Sequence, residues 1–413
     1  MSSAITTASE ESVSVVLENP AHGGTVIGRI DGQVVFISGG LPGEHVRVSL
    51  GPQKKSKSKR GFRTGRVLSV EQPSAHRVPR RCAAAALGAG CCDLDFVDAT
   101  GSLEYKRAVV LDQLRRIGRI DIADELVSAT GLTPETGWRT RVRLGVGSDG
   151  RAGVRVKASR QIIPLDVAQC AQWVPGLVDG LELKRFSPGS ELAVAMGDDG
   201  HRSVVQLTGG RYQQKATVLE GIGAVDHALA SHPNVRWKIE PHGFWQGHRA
   251  ASDFYAQWVS EHIPRGGGSA WDLYGGAGVF TLVLGDLADR VDCVDVASNS
   301  TTAGRVAFQA AENQDKVRFV EGAVDKSIDI LRTKGGLHAV VMDPPRIGAG
   351  ASTIARVAQH APQHVVHIGC DPATAARDVA AWVNNGYSIT ALTVVDAFPL
   401  THHVEVLVAL ERC

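Results

Sequence analysis

Two residue types set apart in the chain, Cys370 and Glu405, suggest chemistry before any fold is assigned. Cys370 lies in QHVVHIGCDP, an apolar run expected to form a strand ending in a tight Gly-Cys-Asp-Pro turn. The following ATAARDVAAWV reads as a helix, with Asp371 as N-cap and Pro372 as its first residue. A thiol at a strand mouth beside a helix N-terminus is expected to ionise more readily than a free one. The same residue type also serves as a small buried hydrophobe, and position alone does not choose between the two. Glu405, in DAFPLTHHVE, is placed where the chain returns toward the same sheet edge. A thiolate with a carboxylate suits one difficult reaction, methylation of carbon 5 of a pyrimidine. Sulfur addition at carbon 6 makes carbon 5 nucleophilic, and a base then removes the proton from carbon 5.

A methyl donor has its own expected site. DLYGGAGVF, Asp272 to Phe280, follows one apolar run and opens a helix, and its glycines let a ligand approach the backbone. It is not the dinucleotide fingerprint. Asp295 ends the next strand, where an acid holds a ribose diol. A ribose site without a pyrophosphate loop fits S-adenosylmethionine. Asp343, in DPPRIG, ends a later strand and faces the same crevice, stiffened by two prolines. Gln246, in FWQ, precedes the sheet and is a further candidate cofactor contact.

The elements that must position these residues fall into segments. Residues 1–11 are small and polar and read as a disordered tail. Residues 12–72 hold five short alternating runs separated by Gly and Asp-Gly turns, the pattern of an OB-like β-barrel. Residues 73–240 read as a central α+β domain rich in strands, and residues 241–413 alternate strand with helix. The last segment is expected to be a doubly wound Rossmann-like sheet, closed by two antiparallel strands. The fold class is α/β with a barrel and a β-rich domain ahead of it.

Charge is uneven although the net charge is +1. Lys54 to Arg66 is basic throughout, with Phe62 among the cations, and Arg139, Arg141, Arg143, Arg151, Arg155, Lys157 and Arg160 follow in the central segment. A basic front and a more acidic back suggest RNA held by the 54–66 loop and the 139–160 strands. The 413 residues contain no apolar run long enough to span a bilayer, and MSSAITTASEES lacks the features of a secretion signal. Seven cysteines without such a signal argue for a reducing cytoplasm, and a monomer is expected. Cys82, Cys91, Cys92 and Cys170 form an irregular set. Thiolate clusters suggest metal ligation, yet adjacent Cys91 and Cys92 do not easily serve one cluster, and buried thiols remain an alternative.

HGGTVIGRIDGQVVFISGGLPGEHVRV resembles a TRAM domain, an RNA-binding barrel. Behind it, DLYGGAGVF, MDPPRIG, HIGCDPATAARD and DAFPLTHHVEVLVALE resemble, in order, the RNA 5-methyluridine methyltransferase family. The resemblance spans nearly the whole chain. It implies Cys370 as nucleophile, Glu405 as base, and Gln246, Tyr274, Val279, Asp295 and Asp343 as contacts to S-adenosylmethionine. It implies 23S ribosomal RNA as substrate, with transfer RNA second. Members with a [4Fe-4S] cluster carry a Cys-Gly-Gly-Cys pair; here Ala89 takes the first position and Cys91 replaces a glycine, so Cys82, Cys91, Cys92 and Cys170 are the implied ligands. The family commonly has Ser-Cys-Asn-Pro where this chain has Gly369-Cys-Asp-Pro372. Amino-group methylation, cytosine-5 methylation and a non-catalytic RNA-binding factor are the competing functions.

Overall fold

A computed structural model describes residues 12–52, 62–210 and 214–413. The tail 1–11 and most of the basic 54–66 loop lie outside the described residues.

Five strands close into a barrel: Ser12–Ala21, Thr25–Ile30, Gln33–Ser38, His45–Leu50 and Arg63–Gln72. Alternation puts Val26, Val35, Ile37, Val46 and Val48 inside. Phe96, Val97 and Tyr105 from the next segment join that core.

A six-stranded antiparallel sheet follows, in the order Lys215–Glu220, Arg202–Thr208, Glu191–Met196, Arg141–Val146, Ala152–Arg155, Ile162–Pro164. The arginine run lands in its centre. A hairpin of Val225–Leu229 and His232–Ile239 then leaves this sheet and packs its Trp237 and Val235 into the core of the final segment.

The last sheet has eight strands, in the order Val317–Glu321, Arg290–Asp295, Ser269–Leu273, Leu337–Met342, His364–Gly369, Glu405–Arg412, Tyr387–Asp396, Val127–Gly131. The first five are parallel and nearly continuous in apolar side chains, as sheets covered on both faces require. LHAVVM is buried along its whole length. The chain starts at Ser269–Leu273, winds outward to Val317–Glu321, and crosses back to Leu337–Met342. The crevice between these two central strands is the topological switch point. Glu405–Arg412 runs antiparallel, so its first residue stands at the carboxyl edge of the parallel strands.

The eighth strand corrects the domain boundaries. Val127–Gly131 lies inside the stretch assigned to the central domain, yet it pairs in parallel with Tyr387–Asp396. The helix Ala99–Gln113, capped by Asp98 accepting from Gly101 N at 2.7 Å, packs on the same edge. Its Lys106 is fully buried and donates to Asp396 Oδ1 at 2.5 Å. Ser102 Oγ donates to Asp396 Oδ2 at 2.8 Å. A five-residue strand with little apolar signal gave no sign of this membership; pairing to a long neighbour supplies what its own sequence lacks. No helix among the described residues is long and apolar enough to cross a membrane.

Candidate active site

Cys370 and Glu405 flank the end of one ladder, and each acts on the other's surroundings through its charge. The antiparallel register pairs His364 with Glu411 and ends with Gly369 opposite Val406. One step further places Cys370 opposite Glu405. Directly opposed residues stand about 5 Å apart at Cα. Asp371 caps the helix Pro372–Asn384 as expected, its Oδ1 accepting from Ala373 N at 3.0 Å and Thr374 N at 2.9 Å. Gly369 is explained by this helix: a Cβ there would lie 2.6 Å from Ala375 Cβ, so the serine common in the family has no room.

The thiol does not behave as its position suggested. Burial first, then the negative charge of Glu405 and Asp343, push Cys370 up to about 12, against a smaller opposing pull from Arg346. The helix N-terminus is outweighed because burial and the charges of two carboxyl groups both disfavour the thiolate. Glu405 is itself buried, with Oε2 unpartnered, and burial followed by Asp343 raises its carboxyl well above the usual range. Arg346, the residue after Asp-Pro-Pro, is the nearby cation that favours ionisation of both groups. Sequence reasoning gave it no role; the signal was its place beside Asp343 in the same motif. Tyr255, fully buried with an unpartnered hydroxyl, also faces the Glu405 and Asp343 charges.

The glycine turn lies at the switch point. Tyr274 at φ +63°, Gly276 at φ +56° and Gly278 at φ +85° turn the chain from strand to the helix Val279–Leu287, which Val279 opens. A Cβ at Gly275 would press on Asp272 Cγ at 2.6 Å and Cys293 Sγ at 2.7 Å. A Cβ at Gly276 would meet nothing within 4 Å, so that part of the turn faces open space. Asp295 braces the turn, its Oδ2 accepting from Gly276 N at 2.9 Å and its Oδ1 from Ala297 N at 2.7 Å. Trp237 supports it from behind, donating from Nε1 to Ala277 O at 2.8 Å. Asp343 N donates to Leu273 O at 3.2 Å, which ties the Asp-Pro-Pro loop to the strand leading into the turn. Gln246 lies half-buried beside Trp245, which stacks on His227. Desolvation, then the charges of Asp272 and Asp295, push Asp343 up to about 7, and desolvation pushes the buried Asp272 to about 7 as well. The switch point therefore holds more negative charge than it can keep ionised, a setting that suits a cationic ligand. These residues fit S-adenosylmethionine.

One cavity opens at Cys370 and a second adjoins it through His403. A small one of about 110 Å³ is lined by Cys370, Arg346, His402, His403, Asp371 and His22. His22 comes from the tip of the barrel's first hairpin. A larger one of about 930 Å³ carries Arg139, Arg141, Arg143, Arg155, Lys157 and Arg160. His403 and Thr401 also line it, so His403 borders both cavities. The three alternating arginines divide their work. Arg141 is buried, its NH1 donating to Gly243 O at 2.6 Å, and Arg139 donates from NH1 to Gln172 Oε1 at 3.2 Å. Arg143, Lys157 and Arg160 remain exposed.

Away from the switch point, Cys82, Cys91, Cys92 and Cys170 converge. Their four sulfurs lie within 4.8 Å of one another. The adjacency of Cys91 and Cys92 does not keep them apart: each turns its sulfur toward a different partner, Cys82 at 3.7 Å and Cys170 at 3.6 Å.

The family model for tRNA (uracil-5-)-methyltransferases matches residues 204–413, and that for the TRAM domain matches residues 10–51. An uncharacterised RNA methyltransferase of Corynebacterium glutamicum is 40% identical, covering 98% of both chains. A protein of Methylococcus capsulatus named 23S rRNA (uracil(1939)-C(5))-methyltransferase RlmD is 29% identical over 97% of each. Among solved structures, the tRNA (uracil-54, C5)-methyltransferase of Pyrococcus abyssi, in complex with S-adenosyl-L-homocysteine, superposes with a TM-score of 0.59 at 19% identity, covering 96% of this chain and all of that one.

Proposed function

This chain belongs to the tRNA (uracil-5-)-methyltransferase family, and we propose on that premise that it methylates carbon 5 of a uridine in 23S ribosomal RNA through a covalent Cys370 adduct. The family acts on RNA, and its class I fold implies S-adenosylmethionine as donor. The observation that supports the mechanism is the ladder that brings Cys370 and Glu405 to neighbouring strand ends, with Arg346 close enough to act on both.

When bound, S-adenosylmethionine supplies the methyl group from a sulfonium centre. Gln246, Tyr274, Val279, Asp295 and Asp343 are the residues that would hold it, Asp295 offering a carboxylate to the ribose diol and Asp343 a counter-charge to the sulfonium. Cys370 Sγ gives its proton up to solvent, with Arg346 favouring the thiolate, and bonds carbon 6 of the uracil ring. The electron pair of the 5,6 double bond moves toward carbon 5 and the carbonyl oxygen at carbon 4, and Arg346 faces that developing charge. Carbon 5 would take the methyl group as the methyl–sulfur bond of the donor breaks and S-adenosylhomocysteine leaves. Glu405 then removes the remaining proton from carbon 5, the carbon–sulfur bond breaks, and the thiolate leaves as the double bond returns. A buried carboxylate with a raised affinity for protons is a stronger base than one in water.

A ring edge-on to this chemistry must leave its stack. The exposed cations of the larger cavity suit the phosphates of an unpaired RNA segment, and His403 stands where the base would pass into the smaller one. The RlmD name of a full-length relative favours ribosomal over transfer RNA. Tritiated methyl transfer to 23S RNA and to bulk tRNA, both from a strain lacking this gene, tests the substrate: label in tRNA alone removes the ribosomal assignment. RNA carrying 5-fluorouridine tests the mechanism, because fluorine cannot leave as a proton does and the adduct is trapped. Cys370→Ala is expected to abolish both turnover and adduct; an adduct that persists removes the nucleophile.

A further inference from the structure

The cysteine quartet does not have the spacing of a four-iron cluster. In a cubane each thiolate binds a different iron, so the four sulfurs stand outside the cage and are separated by its width. In a mononuclear site all four bind one ion. With Zn–S bonds of about 2.3 Å, the edge of the sulfur tetrahedron is about 3.8 Å. Here the Cys82–Cys91 sulfurs are 3.7 Å apart and the Cys92–Cys170 sulfurs 3.6 Å, and all four fall within 4.8 Å. We propose that Cys82, Cys91, Cys92 and Cys170 bind a single tetrahedral zinc ion in place of the iron–sulfur cluster that the family resemblance implies.

The sequence change accounts for the contraction. Ala89 has lost the thiol that the Cys-Gly-Gly-Cys pair would supply, and Cys91 offers one two positions later. That moves a ligand next to Cys92 and draws the set inward. The surroundings suit thiolates. Gln172 Nε2 donates to Cys92 Sγ at 3.3 Å and to the Cys91 carbonyl at 2.7 Å, while its Oε1 accepts from Arg139. Outer donors of this kind fix ligands and offset their charge. Ala84, Ala89 and Leu400 pack in the same buried cluster.

Four protein ligands leave no open position, so the ion is structural. It joins the segment after the barrel, through Cys82, to the loop holding Cys170. Cys91, Arg139, Gln172 and Trp173 also line the larger cavity, so the ion braces one wall of the groove assigned to RNA.

The test is metal analysis of the full chain, expressed with both zinc and iron supplied and purified without oxygen or chelator. About one zinc per chain, with neither iron nor acid-labile sulfide, is expected. Cys91→Ser should lose most of the zinc, whereas Cys413→Ser, at the exposed terminus, should keep it. If Cys91→Ser fails to fold, the wild-type protein grown on cobalt decides. A tetrahedral tetrathiolate gives intense visible d–d bands and one cobalt per chain, and their absence counts against the site. Iron with matching labile sulfide overturns the proposal. So does metal-free protein that folds and binds RNA normally, or recovery of Cys82–Cys91 and Cys92–Cys170 disulfides from freshly prepared protein.

Discussion

His22 Nε2 of the barrel hairpin lies 3.2 Å from Asp371 Oδ2, the residue that follows the proposed nucleophile. Asp371 therefore serves two structures at once: one oxygen caps the helix behind Cys370 and the other takes the barrel. Tyr105 strengthens the same junction by donating to Thr25 O at 2.6 Å and Ala21 O at 3.0 Å. His402 contacts Asp93 alongside. The RNA-binding module is thus fastened to the turn that holds the sulfur.

The family asparagine at position 371 would keep the cap and lose the charge that His22 meets. His22 is raised above its ordinary value, chiefly by its hydrogen bond to Asp371, and Asp371 is lowered to about 2, chiefly by His22. A raised histidine stabilises fully below its unfolded value and loses that contribution as pH climbs through the folded one. A lowered aspartate contributes above its unfolded value and loses it as pH falls toward about 2. The pair is therefore strongest in mildly acidic solution and fades on the alkaline side. Both side chains are partly exposed, so the effect is small, under about 1 kcal/mol. Asp371→Asn should lower the melting temperature more at about pH 6 than at about pH 9. An equal loss at both would show that the ion pair is not formed.

Glu405 carries the opposite lesson about stability. A carboxyl whose folded value is raised contributes fully below its unfolded value, and the cost of its charge grows as pH rises through the folded one. Glu405→Gln removes that cost. The variant should be at least as stable as wild type at neutral pH, with a gain that widens toward alkaline pH. Release of methylated product should fall by roughly 10²–10⁴-fold, the usual worth of a positioned base, with the methylated Cys370 adduct accumulating. Thermal melts across pH, run beside single-turnover assays, read both. A variant that loses activity and stability together would make Glu405 a packing residue.

Much of this site could be read from residue order. Strand, turn and helix around Cys370, the glycine turn and the Asp295 strand end all follow from local periodicity and capping, and the structure forms them where expected. Three features could not be read so, because each depends on partners that come from distant parts of the sequence. The thiol's proton affinity depends on Glu405 and Asp343, which arrive from other strands. The membership of Val127–Gly131 depends on the neighbour Tyr387–Asp396. The buried Lys106–Asp396 pair joins residues whose separation in sequence hides it. Arg346 is the intermediate case: its motif was visible, its influence on sulfur and carboxylate was not.

RNA grip can be separated from chemistry by salt. Lys157 and Arg160 are exposed on the larger cavity and far in sequence from the proposed catalytic residues. Each phosphate contact with a single strand contributes roughly 0.7 to the slope of log affinity against log salt. Lys157→Ala with Arg160→Ala should weaken RNA binding at low salt and flatten that slope, while donor binding stays unchanged. Filter binding over a salt series measures it; an unchanged slope would assign this cavity to something other than nucleic acid.

Donor binding should itself depend on pH through Asp343. Its carboxyl is pushed up to about 7 by desolvation and by the neighbouring Asp272 and Asp295 charges. Near neutrality a fraction of the protein therefore carries it protonated. A sulfonium favours the ionised form, so binding expels a proton and affinity rises with pH through that range. S-adenosylhomocysteine lacks the sulfonium charge, and its affinity should rise less. Calorimetry of both ligands at about pH 6 and about pH 8, in buffers of different ionisation enthalpy, reports affinity and proton release together. Asp343→Asn should abolish the pH dependence and weaken S-adenosylmethionine more than its product. If the two ligands respond alike to pH, the carboxyl does not face the reacting sulfur, and the donor must lie differently at the switch point from the way proposed here.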